Sequence, residues 1–336
     1  MKRKTLLAIA LFLAPLSAAL YLFLFQKSEN GILLGQNKNL PTFTLYTALS
    51  ATSPQLPFWL AVKSGELSKL ANFEVKTWKS GEQLKTLALK GKGDFWVGHS
   101  DAFARVRKSG GPVKMALIST WKKFYLLGPA RPGIFAWKDL NNQSVIVSPP
   151  TSPAGALLKY ITKRNNLQLN LTFRELDHIF HVLQQDNQSY VLVPEPFASL
   201  IETKSAHLKI LKNIESEFSD SAIQLGLPVA GIAINENTYK QQKDVIDKII
   251  NLMLSASLSV DKSENTLIQA IPEHYIAAIP MEINKLSLAR ETFVARRASD
   301  VRAEIKNYLT LLDETGNYYD SIDDFTADFL MAHETK

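Results

Sequence analysis

Apolar and polar positions along this chain follow two alternating periods. In "FTLYTALS", Phe43, Leu45 and Leu49 recur with period two, the mark of a strand. A turn, "ATSPQLP", leads to "FWLAVKSGEL", where Phe58, Ala61 and Val62 share a helical face. "NFEVKTW" reads as a second strand. "GEQLKTLALKGK" reads as a helix with Leu84, Leu87 and Ala88 in one stripe, opened by Ser80 and ended by Gly91 and Gly93. "DFWVGHS", "DAFARVRKSGG" and "VKMALIST" continue as strand, helix and strand. Strands alternating with helices across short loops predict βαβ units around a buried parallel sheet.

The rhythm breaks at "FYLLGPARPGIFAW" (124–137), which holds Gly128, Pro129, Pro132 and Gly133, and then restarts. "SVIVSPP", "LTFREL", "YVLVP" and "LKILK" read as strands; "SPAGALLKYITKRNN", "HIFHVLQQDN" and "PFASLIETK" read as helices between them. A second bracketed stretch, "GLPVAGIAINENTY", follows, and beyond Tyr239 the chain reads as chiefly helical, with Val245, Ile249 and Leu252 at helical spacing. The pattern predicts two α/β units joined by two extended crossings near 124–137 and 227–236, the second unit inserted into the first. Residues 27–40 are expected to form a polar linker, 41–128 with 229–336 the first lobe, and 129–228 the second. Two crossings let rigid lobes swing about a hinge. A single large doubly wound domain is the competing architecture.

At 336 residues, 46% hydrophobic and 21% charged, the chain is long and apolar enough for two packed cores. It has no cysteine, which excludes disulfides, thiolate metal sites, cysteine nucleophiles and a lipid-modified cysteine. Half of its formal charge of +6 comes from Lys2, Arg3 and Lys4, and no arginine-rich stripe or aromatic-basic motif points to nucleic acid. Those basic residues precede "TLLAIALFLAPLSAALYLFLF", so residues 1–26 read as a secretory signal peptide or an N-terminal membrane anchor. Leu16 to Ala18 offer small residues for cleavage, whereas "LYLFLF" makes a poor mature start; both alternatives stay open. Either way the basic end stays cytoplasmic and the rest is exported to the periplasm, free or tethered to the inner membrane.

The Ser50–Pro54 turn, "KSGEQLKTLALKGKGDFWVGHSDAF", "VKMALIST", "KDLNNQSVIVSPPTSPAGALL" and "YVLVPEPFASL" together resemble the bacterial periplasmic binding proteins of ABC importers, in the family serving sulfonates, taurine, nitrate and thiamine-precursor pyrimidines. The tail "VRAEIKNYLTLLDETG" is similar to that family's C-terminal helix. The likeness runs from about Phe43 to Leu330, and its most specific pieces are the Ser80-Gly81 to Asp94-Phe95 run and Glu195-Pro196-Phe197-Ala198. The resemblance implies an α/β, two-lobed type II periplasmic-binding-protein fold with two hinge crossings and a helical C-terminal segment. It also implies a monomeric, non-enzymatic, cofactor-free receptor that delivers a small polar ligand (a sulfonate, a nitrate-like anion or a pyrimidine precursor) to an ABC permease in the inner membrane.

Ligands of parallel sheets lie outside the carboxyl ends of the strands, where strand-to-helix loops gather. The candidate ligand contacts are therefore Ser50, Thr52, Ser80, Gly81, His99, Ser100, Thr120 and Trp121 in the first lobe, and Thr151, Ser152 and Glu195 in the second. Small hydroxyl residues and glycine before a helix suit this role, because the first turn leaves N–H groups free and its dipole favours negative charge. In "TSPAG", Ser152 suits the N-cap and Pro153 the first helical position. Asp101, in another first turn, would repel an oxyanion, whereas Lys79 would pair with one, so the sign of the ligand stays open. Trp121, directly after a strand, is the preferred aromatic contact; Trp96, inside a strand, reads as core.

Gly98-His99-Ser100-Asp101-Ala102 approaches the Gly-x-Ser-x-Gly nucleophile elbow, with alanine in the last position. Asp177, His178, His181, His207 and His274 are available as triad partners, yet no loop singles one out. His178 and His181 have metal-pair spacing without a third ligand. Ser100 therefore reads as a helix cap and ligand donor, with no catalytic residue or metal ligand assigned. The competing readings are an exported serine hydrolase using Ser100, a membrane-anchored sensory protein of the same fold, and a thiamine-pyrimidine synthase, which would need cysteines this chain lacks.

Overall fold

Strands that are apolar on both faces must be covered on both sides. Phe95 and Val97 point to one core of the larger lobe while Trp96 between them points to the other, and in the second sheet Phe124 and Leu126 face one core while Tyr125 and Leu127 face another. A computed structural model describes residues 31–50, 52–130, 133–185, 189–218, 225–276, 279–313 and 319–332. The expected signal or anchor at 1–26 lies outside the described residues, and among those described no helix is long and apolar enough to cross a membrane.

The strands are β1 (Ile32–Leu34), β2 (Thr42–Ala48), β3 (Asn72–Trp78), β4 (Phe95–His99), β5 (Val113–Thr120), β6 (Phe124–Pro129), β7 (Gln143–Val147), β8 (Leu169–Phe173), β9 (Tyr190–Pro194), β10 (Leu208–Asn213), β11 (Ala230–Asn235) and β12 (Phe293–Arg297). The larger sheet runs β1-β3-β2-β4-β11-β5-β12 and the smaller β10-β6-β9-β7-β8. In each, one strand that follows a crossing runs against its neighbours: β11 against β4 and β5, β6 against β9 and β10. The sheets are thus mixed rather than purely parallel. The chain leaves the larger sheet after β5, builds the smaller one, and returns at β11, so the second unit is inserted into the first.

Helices α1 (Leu56–Lys63), α2 (Gly81–Leu89), α3 (Ser100–Lys108), α4 (Ala154–Arg164), α5 (Leu176–Gln185) and α6 (Phe197–Lys204) follow individual strands. Then come α7 (Glu236–Gln241), α8 (Lys243–Ser259), α9 (Glu264–Ile268), α10 (Glu273–Ile276), α11 (Met281–Arg290), α12 (Arg302–Leu312) and α13 (Ile322–Phe329). Phe43, Phe58, Trp59, Phe73, Phe95 and Tyr275 pack one face of the larger sheet; Leu84, Trp96, Phe103, Ile305 and Phe329 pack the other. Each such fully buried side chain contributes about 1.5–3 kcal/mol of transfer free energy.

The described residues correct the sequence reading at four places. Residues 124–129, of which 124–128 are expected in the first lobe and all of which read as crossing because of Gly128 and Pro129, are β6 of the smaller sheet. The crossing is therefore short, at Trp121 to Lys123. The polar linker at 27–40 contains β1, whose pairing with β3 supplies hydrogen bonds that its sequence alone does not foretell. The tail is chiefly helical as expected, but it also contributes β12 to the sheet edge beside β5. Helix α4 begins at Ala154, one residue later than expected, because Ser152 and Pro153 close a turn in which the Ser152 N–H donates to Pro149 O at 3.1 Å.

Candidate ligand site between the lobes

The carboxyl ends of β2, β3, β4 and β5 in one lobe and of β7 and β9 in the other carry the loops chosen from the sequence. The structure brings two of these loops together across the lobes. A Cβ on Gly81 would stand 3.1 Å from the Thr151 hydroxyl, so the first turn of α2 closes directly on the loop after β7. A side chain there would press on Thr151, so glycine gives this approach its room.

Ser80 caps α2 by accepting the Gln83 N–H at 3.2 Å. Thr52 is the extended residue before the 3-10 turn at Ser53–Gln55 that runs into α1, and Gln55 donates to Ser50 O at 2.7 Å. The Thr120 hydroxyl meets the Ser53 hydroxyl at 2.7 Å. Ser152 keeps its hydroxyl buried without a protein partner among the described residues. These side chains shape the loops as much as they face one another.

Three candidates are engaged elsewhere. The Ser100 hydroxyl donates to Pro228 O at 2.5 Å, which ties the start of α3 to the second crossing. Trp121 is fully buried in the larger lobe, with its indole N–H donating to Val294 O at 2.8 Å. Glu195 folds back on α6, accepting the Ser199 N–H at 3.0 Å and the Ser199 hydroxyl at 2.8 Å. Burial pushes its pKa up, while the two Ser199 bonds pull it down. His99 lies edge-on to Phe124 and is half-buried; desolvation, then Lys123, then Arg105 push its pKa down to about 3. With its basicity held far down and the neighbouring hydroxyl donated to a carbonyl, His99 does not form a Ser–His dyad with Ser100.

The centre of this region is a set of charges that sequence reasoning did not select. Lys123, on the first crossing, is 5% exposed; its ammonium donates to Glu291 Oε1 at 2.8 Å and to Glu195 O at 3.1 Å. Glu291 Oε2 accepts the Ser53 N–H at 3.2 Å. Glu215 accepts the N–H groups of Lys123 and Phe124 at 2.8 and 2.9 Å, and Asn213 Nδ2 at 2.9 Å. Its complete burial still pushes its pKa up to about 7. Lys123 thus joins the Ser53 loop of one lobe to the Glu195 loop of the other. Beside it, Arg290 donates to Ser199 Oγ at 2.8 Å and Glu202 at 2.6 Å, and Leu200, Ile279 and Ile283 pack α6 against the α10–α11 region. The signal available in the sequence was a lysine directly before a buried strand, in "TWKKF"; Glu215 and Glu291 lie too far along the chain for any spacing rule.

Among the described residues no group of His, Asp and Glu has the disposition of a metal site. A hollow of about 320 Å³ lined by Ala130, Ile134, Phe135 and Ile210 lies at the far end of β6, away from these loops.

Two sheets with matching strand order, two crossings and facing carboxyl ends define a two-lobed α/β fold of the type II periplasmic-binding class. Solved structures share it along nearly the whole chain. The periplasmic aliphatic sulphonate-binding protein of Escherichia coli superposes with a TM-score of 0.68 at 13% identity, covering 86% of this chain and 97% of that one. An ABC transporter protein from Parabacteroides distasonis gives 0.66 at 15% identity, covering 88% and 99%. The periplasmic nitrate-binding protein of Synechocystis gives 0.60 at 12% identity, covering 86% and 85%. No protein-family model and no curated protein sequence matches the chain.

Proposed function

We propose that this chain is the extracytoplasmic solute-binding component of an ABC importer, holding a small polar ligand between its lobes and presenting the closed form to a membrane permease. The observation that carries this reading is the direct meeting of Gly81 and Thr151 across two lobes linked by short crossings. Such lobes can part and close about a ligand that touches both, and closure is then driven by contacts that only the closed form makes. The likeness to periplasmic binding proteins over more than four fifths of the chain supports the same class. A basic, apolar N-terminus supports export to the periplasm, with the segment either removed or kept as a tether.

The reading includes no catalysis. The donated Ser100 hydroxyl and the weakly basic His99 weigh against the serine hydrolase alternative. Thermal melting against a panel of sulfonates, nitrate, taurine, pyrimidines and polar amines tests the proposal. A true ligand at about 100 times its dissociation constant stabilises the fold by about 2.7 kcal/mol. A folded protein that answers to no member of a broad panel would refute the reading.

A further inference from the structure

We propose that Glu291 is a built-in anion: its carboxylate takes the Lys123 ammonium and the Ser53 N–H, the donor pair that would otherwise hold an oxyanion, so the cleft turns away small sulfonate- and nitrate-like anions and accepts uncharged or cationic polar ligands. The inference rests on the binding-protein reading and narrows its ligand class.

Ser53 opens the continuous helical run from Ser53 to Lys63, where a free N–H and the helix dipole attract negative charge. Lys123 adds a full positive charge to the same spot. A carboxylate is planar and accepts two donors side by side, as nitrate or one edge of a sulfonate would. Glu291 fills that role from the end of α11, with its side chain entirely buried. A second donor of Lys123 is already held by Glu195 O at 3.1 Å.

Arg290 and Arg105 do not take Lys123's place. The His99 imidazole, whose pKa burial and Lys123 push down, stays neutral. Arg290 is engaged by Ser199 and Glu202, and Arg105 by Asp101 at 2.8 Å. Glu291 is paired with Lys123 in a buried setting, and a further anion there would meet its charge in a poorly screened interior. A neutral or cationic ligand meets no such repulsion.

The test is the melting of the full-length chain, of Glu291→Ala and of Glu291→Ala/Lys123→Met, in nitrate, methanesulfonate or chloride at matched ionic strength. The wild type should respond to the oxyanions no more than to chloride. Glu291→Ala should be stabilised saturably by both oxyanions, with an apparent affinity about tenfold or more above that of the wild type. The double variant should lose that response. If Glu291→Ala folds in methanesulfonate but not in chloride, the proposal is likewise supported. Where it folds in neither, Glu291→Gln decides, since it keeps an acceptor for Ser53 but loses the charge: a saturable oxyanion response supports the proposal and its absence overturns it. Saturable stabilisation of the wild type by nitrate or methanesulfonate, or a folded Glu291→Ala that behaves like wild type, overturns it too. Failure of the wild type to bind any neutral, cationic or anionic compound would instead strike at the binding-protein reading itself.

Discussion

Replacing Lys123 by methionine removes a buried cation at the junction of the lobes while keeping most of the side-chain volume. Glu291 is then left buried, with only the Ser53 N–H at 3.2 Å, and Glu195 O loses its ammonium donor. Stranding one partner of a buried pair costs about 3–5 kcal/mol. At about 2–4 °C per kcal/mol for domains of this size, the midpoint of melting should fall by about 6–20 °C. Adding Glu291→Gln should then restore part of the loss: the amide oxygen still accepts from Ser53, its NH2 can donate towards Glu195 O, and no charge is stranded. The double variant should be more stable than Lys123→Met alone by about 1–2 kcal/mol, the coupling that residues in direct contact show. Urea denaturation followed by tryptophan fluorescence measures it, since Trp59 and Trp121 report the larger lobe and Trp137 the smaller. Strictly additive losses in the two single variants would refute the idea that this pair organises the junction.

Glu215 predicts a pH dependence. Its pKa rises from 4.5 to about 7 on folding, so its contribution is most favourable below pH 4.5, declines as pH rises to about 7, and is flat above. The decline amounts to about 3 kcal/mol, and Glu215→Gln should flatten it in stability measured from pH 4.5 to 7; parallel curves for wild type and variant would contradict this. Burial pushes Asp101 and Glu195 the same way, so the comparison must be the difference between the two proteins. Gly81→Val should hold the lobes apart, because a Cβ alone already reaches within 3.1 Å of Thr151; X-ray scattering should show a larger radius of gyration, and an unchanged profile would count against closure at this contact. Ser100→Ala should cost about 1–2 kcal/mol through the lost hydrogen bond to Pro228 O. Neither it nor the wild type should be labelled by a serine-hydrolase probe, and labelling of the wild type alone would revive the hydrolase reading.

Patterning made most of the fold legible. The continuous apolar runs of "VKMALIST" and "YVLVP" correspond to β5 and β9 residue for residue, since strands buried on both faces carry their signal locally. Where punctuation competed with periodicity, punctuation misled. Gly128 and Pro129 end β6 rather than mark a crossing, because a strand that turns at its last residues tolerates both. β1 and β12 are edge strands whose existence depends on the neighbours that pair with them, and neither carries enough apolar alternation to be seen alone.

The site divides along the same line. Its loops are determined by the sequence, because a serine, threonine or glycine at a strand end is a local requirement of the helix start that follows; Ser80 on α2 and Gly81 beside Thr151 are examples. Its charges are decided only in three dimensions. Glu291 lies 168 residues from Lys123 and 238 from Ser53, and the burial that binds them together has no local signature. The pattern of side chains therefore determined where the strand-end loops gather. Only the packing of distant segments decided which charges line the place and which of them are already paired.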